Sequence, residues 1–133
     1  MYLYHNILLI DDETDDLTVL VHTFKGLSPS LTFTTADSAL YGLAKLRSLP
    51  DLDLILVDLN MPGMDGFQFL EALRFEPHYK NTPCIMWTSS VDDIHRKRAM
   101  ELGAAGFYIK PTDTIRLKKM LHDILLTDFS KPA

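Results

Sequence analysis

Cysteine is almost absent from this chain of 133 residues: Cys84 stands alone, so no disulfide can close within it, a usage that suits a reducing compartment. Long apolar runs are absent too. The run from Ile7 to Ile10 has no basic flank before it and meets acid at Asp11, which excludes a signal peptide and a membrane span and points to a soluble, cytoplasmic protein. Base is in short supply, with 13 Lys and Arg against 18 Asp and Glu and a net charge of −5. Nucleic acid and anionic lipid both call for a basic face, so neither is expected as a partner, whereas a protein contact is. Histidines at metal-binding spacing are also missing: His5, His22, His78, His95 and His122 contain no His-x-x-x-His pair, and surface or satisfied histidines are expected.

What is present is enough for one domain, residues 1–133, with 47% apolar residues to fill a core. Short apolar runs alternate with longer amphipathic stretches, the pattern of βα repetition and a parallel sheet covered on both faces. The runs are His5 to Ile10, Leu31 to Thr35, Leu54 to Val57, Cys84 to Trp87 and Phe107 to Ile109. The first, third and fourth are almost continuously apolar and read as central strands, whereas Leu31 to Thr35 alternates like an edge.

The first helix is expected from Thr14 to Lys25, stopping at Gly26, and the second after Asp37 as N-cap, with Leu40, Leu43 and Ala44 on one face. The third follows Gly66. Ser90 and Asp93 are spaced as a capping box for the fourth, whose apolar stripe of Ile94, Ala99 and Leu102 is thin. The fifth opens near Asp113 and repeats Leu117, Met120, Leu121, Ile124 and Leu125 at helical spacing, leaving 127–133 as a tail beyond a core of about 5–126.

Ligands of open parallel sheets sit beyond the carboxyl ends of the strands. Here those ends carry Asp11-Asp12, Asp58, Thr88 and Lys110-Pro111. Two like charges about 4 Å apart repel by roughly 4 kcal/mol at an effective dielectric of about 20, enough to raise a pKa or to demand a cation. Oxygen ligands without His or Cys favour Mg²⁺ or Mn²⁺ over zinc. A divalent metal with a nearby Lys and Thr hydroxyl suits phosphoryl transfer, with Asp58 as candidate nucleophile.

These residues, with Asp58-Leu-Asn60-Met61-Pro62-Gly63-Met64-Asp65-Gly66 as the longest string, resemble the receiver domain of two-component response regulators over residues 5 to about 126. The resemblance implies a flavodoxin-like (βα)5 doubly wound α/β fold, a five-stranded parallel sheet in order 2-1-3-4-5. It implies that Asp58 takes a phosphoryl group from the phosphohistidine of a partner histidine kinase or phosphotransfer protein. Asp12 and Asp58 would ligate Mg²⁺ through carboxylates, Asn60 through its backbone carbonyl and Asp11 through water; Thr88 and Lys110 would hold phosphoryl oxygens. Asn60 and Ser90 would tune the lifetime of the acyl phosphate. Phe107, where many members have Tyr, would change rotamer and alter the face made by the fourth helix, fifth strand and fifth helix, without a phenol to help; Tyr108 would present its hydroxyl to the opposite face of the sheet. The Lys110-Pro111 bond is expected to be cis. The implied protein is a stand-alone switch, not an enzyme, that signals as a monomer or a phosphorylation-linked homodimer to a protein target.

Two rivals share some of these residues. His22-Thr-Phe-Lys25-Gly26 resembles the phosphorylatable string of histidine-phosphotransfer modules, but those are helical bundles and this chain alternates strand and helix. Aspartyl-nucleophile phosphatases of the haloacid dehalogenase type place Asp-x-Asp on the first strand, not the third. Elsewhere the plain readings hold: Cys84 and Trp87 as core, His95-Arg-Lys-Arg98 as a solvated helix face, and Glu13, Asp15 and Asp16 as partners of a helix N-terminus and solvent.

Overall fold

The computed structural model describes residues 2–130. Strands β1 (Asn6–Ile10), β2 (Thr32–Ala36), β3 (Leu54–Val57), β4 (Cys84–Thr88) and β5 (Gly106–Ile109) alternate with helices α1 (Thr14–Leu27), α2 (Ala39–Lys45), α3 (Gly66–Arg74), α4 (Asp93–Glu101) and α5 (Thr114–Leu126). A 3-10 turn, Leu46–Ser48, extends α2. All strand pairs are parallel and the order is β2-β1-β3-β4-β5, as expected, with β2 at an edge. Alternate side chains of each strand enter different layers. Leu8, Ile10, Ile55, Val57, Met86 and Phe107 pack with α2, α3 and α4, whereas Ile7, Leu9, Leu54, Leu56, Ile85 and Trp87 pack with α1 and α5.

Several helix ends differ from expectation for local reasons. Gly26 is tolerated inside α1, which runs one residue further and ends where the Ser28 N–H caps the Phe24 carbonyl. The N-cap of α2 is Ser38, not Asp37. Its buried face is Ala39 and Gly42, while Leu40 is 67% exposed and Ala44 is exposed. Gly42 sets that frame, because a Cβ there would stand 2.5 Å from Ile10 Cδ1, so only this face can approach β1 so closely. The N-cap of α4 is Asp92, which accepts from the Ile94 N–H. Ser90 instead turns its hydroxyl to His95, so the expected Ser90–Asp93 box does not form.

Of the expected tail, residues 131–133 lie outside the described residues, and the remainder is docked. Tyr4 OH donates to the Thr127 carbonyl at 2.8 Å and accepts from the Phe129 N–H at 3.0 Å. No helix among the described residues is long and apolar enough to cross a membrane.

Candidate functional site

The ladder of the sheet, carried past the regular strands, positions the site. The Asp11 N–H donates to Ala36 O at 3.1 Å, the Asp58 N–H to Ile10 O at 2.9 Å and the Lys110 N–H to Thr88 O at 2.8 Å. Asp11 and Asp58 therefore stand at the carboxyl edge where the strand order reverses between β1 and β3. The loop after Asp58 is held by a close backbone approach: the Gly66 N–H donates to Leu59 O at 2.9 Å, and a Cβ on Gly66 would lie 2.5 Å from Asp58 O. Gly63, at φ +75°, makes the preceding turn in a conformation that favours glycine. Asp65 and Gln68 then form a reciprocal capping box that starts α3.

Asp11, Asp58 and Thr88 are buried polar residues. Lys110 Nζ lies between acids from three parts of the chain, 2.8 Å from Asp11 Oδ2, 2.9 Å from Asp16 Oδ2 and 3.3 Å from Asp58 Oδ2. Burial, and then the charge of Asp11, push the Asp58 carboxyl up to about 6 against the opposing pull of Lys110. For Lys110, burial works against the charge, but hydrogen bonds to Asp11 and Asp16 and the charges of Asp58 and Asp11 outweigh it and raise its pKa.

One oxygen each of Asp11, Asp12 and Asp58 lie within 4.8 Å of one another. Asp12 Oδ1 is buried and lacks a hydrogen-bond partner among the described residues. A buried acceptor left unpaired is unfavourable, and a hard cation would satisfy it while offsetting the crowded negative charge. The all-oxygen donor set fits Mg²⁺ or Mn²⁺.

Thr88 ends β4, and its Oγ1 accepts from the Ser90 N–H at 3.2 Å. Asn60 is exposed in the loop beyond Asp58. Phe107 is buried in the layer of α2 to α4, and Tyr108 is partly buried in the opposite layer. The Lys110-Pro111 bond is trans, contrary to expectation. The two isomers of an X-Pro bond differ by only about 0.5–1 kcal/mol, and with the trans bond Lys110 reaches all three acids. His22 is exposed on α1, within an α/β fold rather than a helical bundle.

Sequence reasoning missed two residues here. Asp16 belongs to the site through Lys110 rather than to solvent alone, its place in the first turn of α1, directly after the Asp11-Asp12 pair, being the available signal. Trp87 lies in the core as expected, yet its Nε1–H also donates to Asp11 Oδ2 at 3.2 Å and its ring centre is 4.8 Å from Lys110 Nζ. An apolar run gives no sign of that contact.

The family model of the response regulator receiver domain matches residues 7–122. The cyclic di-GMP phosphodiesterase response regulator RpfG of Xanthomonas campestris is 32% identical over 120 residues, 90% of this chain but 32% of RpfG, so the chain spans about a third of that relative. Chemotaxis protein CheY-3 of Vibrio cholerae is 31% identical over 112 residues, which are 83% of this chain and 86% of CheY-3. The Mn²⁺-bound form of response regulator Rcp1 superposes with a TM-score of 0.80 at 25% identity, covering 90% of this chain and 91% of Rcp1. Because the family match runs from β1 into α5, it takes in every strand that builds the pocket, and the chain belongs to the receiver domain family of two-component response regulators, whose work is phosphoacceptor signalling.

Proposed function

We propose that this receiver accepts a phosphoryl group on Asp58 from the phosphohistidine of a partner histidine kinase or phosphotransfer protein. The position of Asp58 carries the assignment: it is a buried carboxylate at the end of central β3, next to Asp11 and 3.3 Å from Lys110. In the transfer a bond forms from an Asp58 carboxylate oxygen to phosphorus as the phosphorus–nitrogen bond to the donor imidazole breaks, and the leaving imidazole takes up a proton. Lys110 neutralises phosphoryl oxygens and the Thr88 hydroxyl donates to one. The Asp12 and Asp58 carboxylates and the Asn60 backbone carbonyl would hold Mg²⁺ or Mn²⁺, with Asp11 acting through water. Such an ion, when bound, offsets charge on the transferring oxygens.

Asn60 and Ser90 border the site and set how long the acyl phosphate survives. Phosphorylation biases two arrangements of Thr88 and Phe107 and so alters the face made by α4, β5 and α5, which meets a protein partner or a second copy of the chain. In this reading residues 1–133 are one receiver unit acting in the cytoplasm as a switch, not as a turnover enzyme.

Incubation with phosphoramidate and Mg²⁺ is expected to add the mass of one phosphoryl group, sensitive to hydroxylamine, and Asp58→Asn to abolish the addition. Labelling that persists in that variant, or that survives alkali as phosphohistidine does, would falsify the assignment.

A further inference from the structure

Helix α4 carries the basic run His95 to Arg98, yet it has little apolar hold on the fold: Ala99 is its buried residue, and Ile94 is 73% exposed. Polar contacts anchor its first half, one ending on Ser90, two residues past Thr88, and the other on Phe107 of β5. His95 Nδ1 lies 2.7 Å from Ser90 Oγ, and the Ser90 N–H donates to Thr88 Oγ1 at 3.2 Å. The next residue, Arg96, donates from Nη1 to the Phe107 carbonyl at 3.3 Å, and its guanidinium carbon stands 5.0 Å from the centre of the Phe107 ring. Consecutive residues of one helix thus reach Ser90, in the loop just past β4, and Phe107 within β5, so the run is not simply a solvated face.

We propose that His95 and Arg96 are positioning residues through which α4 reads the state of the site, His95 following Thr88 by way of Ser90 and Arg96 following the ring of Phe107. The inference rests on the phosphoacceptor reading of Asp58. Phe107 lacks a phenol, so the face of its ring is what it offers a polar partner, and a cation is attracted to that face only while the ring is beneath it. Arg96 is also tied to the Phe107 backbone, so a rotation of the ring breaks one contact while the other holds, and the guanidinium must be reoriented. Drawing Thr88 toward a phosphoryl oxygen likewise pulls on the Ser90 N–H that bonds its hydroxyl. With one small buried apolar residue to resist, the helix turns or slides in response.

Arg98 supplies an internal control. Its guanidinium carbon lies 4.8 Å from the centre of the Phe67 ring on α3, a contact that bypasses both strands.

Backbone amide NMR of the full chain with Mg²⁺, before and after phosphoramidate, tests the proposal, with mass measurement of the phosphorylated fraction alongside. In the native chain the amides of Asp93–Glu101 are expected to shift together with those of Thr88 and Lys110. In the double variant His95→Phe with Arg96→Met, where the new ring can keep the edge contact that the His95 ring makes with Phe67 at 6.0 Å between centres, Asp58 is expected to be phosphorylated and the Thr88 and Lys110 amides to shift, while the α4 response is lost. Phe107→Leu, which removes the ring face and leaves Arg96 in place, is expected to lose the Arg96 part of that response, so the outcome does not hang on one variant folding. Arg98→Met is expected to keep the native pattern. An α4 response that persists in both test variants, or that Arg98→Met abolishes equally, overturns the proposal. A native chain that takes up no phosphoryl group overturns the Asp58 assignment and this inference with it.

Discussion

Helices α4 and α5 precede and follow the same strand, β5, and are held by opposite means. Helix α5 sends Leu117, Leu121, Ile124 and Leu125 into the layer it shares with α1, and its Leu125 carbonyl accepts from the Leu3 N–H at 2.9 Å. Helix α4 buries Ala99 and otherwise leans on hydrogen bonds, cation–ring contacts and the edge contact of the His95 ring with Phe67. Full burial of one large apolar side chain is worth about 1.5–3 kcal/mol, whereas a hydrogen bond contributes a net ~0.5–1.5 kcal/mol. Moving α5 therefore means dismantling the core. Moving α4 means exchanging a few contacts of modest strength, which a phosphorylation event can supply within the folded state.

The largest test of this contrast is Leu121→Ala, at a fully buried position of α5. It is expected to cost about 2–5 kcal/mol in urea or thermal unfolding, and a loss below 1 kcal/mol would show that α5 is not the fixed side of the pair. Second is Asp58→Asn, in the charged pocket to which α4 connects through His95, Ser90 and Thr88. The Asp58 carboxyl rises from an ordinary 3.8 to about 6 on folding, so between those values the folded chain holds a proton that the unfolded chain has lost. Native stability consequently falls as pH rises through that window. The neutral amide is expected to be more stable than the native chain by ~1–3 kcal/mol at pH 7, with the gap closing as pH drops toward 4. A gap that instead widens on acidification reverses the sign of the assignment.

Third is metal affinity. Because a cation must displace that proton, the apparent Kd for Mg²⁺ is expected to weaken by up to about tenfold for each pH unit below 6. The chain's single tryptophan, Trp87, bonded to Asp11, gives a fluorescence signal to follow it, and a Kd flat from pH 5 to 7 would argue against Asp58 as a ligand. The smallest effect belongs to Ile94→Ala on α4, at a 73% exposed position. Its unfolding free energy should change by less than about 0.5 kcal/mol; a loss comparable to that of Leu121→Ala would erase the contrast.

The same contrast explains which parts of the molecule were legible beforehand. The strands, and α5 with its regular apolar stripe, were readable because burial leaves a periodic mark in composition. The helix α4 has no such mark. Its anchors are a histidine and an arginine, residue types that usually face water, and only their partners distinguish them from a solvated face. On α2 the leucine at position 40 suggested the wrong face, because the decisive residue was Gly42, whose contribution is the absence of a side chain against Ile10. At the pocket, Asp11, Asp58, Thr88 and Lys110 announced themselves by standing at the ends of apolar runs, while Asp16 and Trp87 did not.

By itself, then, the amino-acid sequence determined the order of the elements, the layers and the strand-end positions of the acids and the lysine, since apolar period and turn chemistry are local and set the register of the sheet. Only the tertiary structure decided that Lys110 shares its charge among Asp11, Asp16 and Asp58, that Trp87 borders them, and that His95 and Arg96 reach Ser90 and Phe107. The pocket contacts join residues 52 to 99 positions apart, and those of α4, although 5 and 11 positions apart, cross from a helix to a loop and a strand. They depend on which face of each helix turns toward the sheet and on where long polar side chains extend, and no local pattern encodes either.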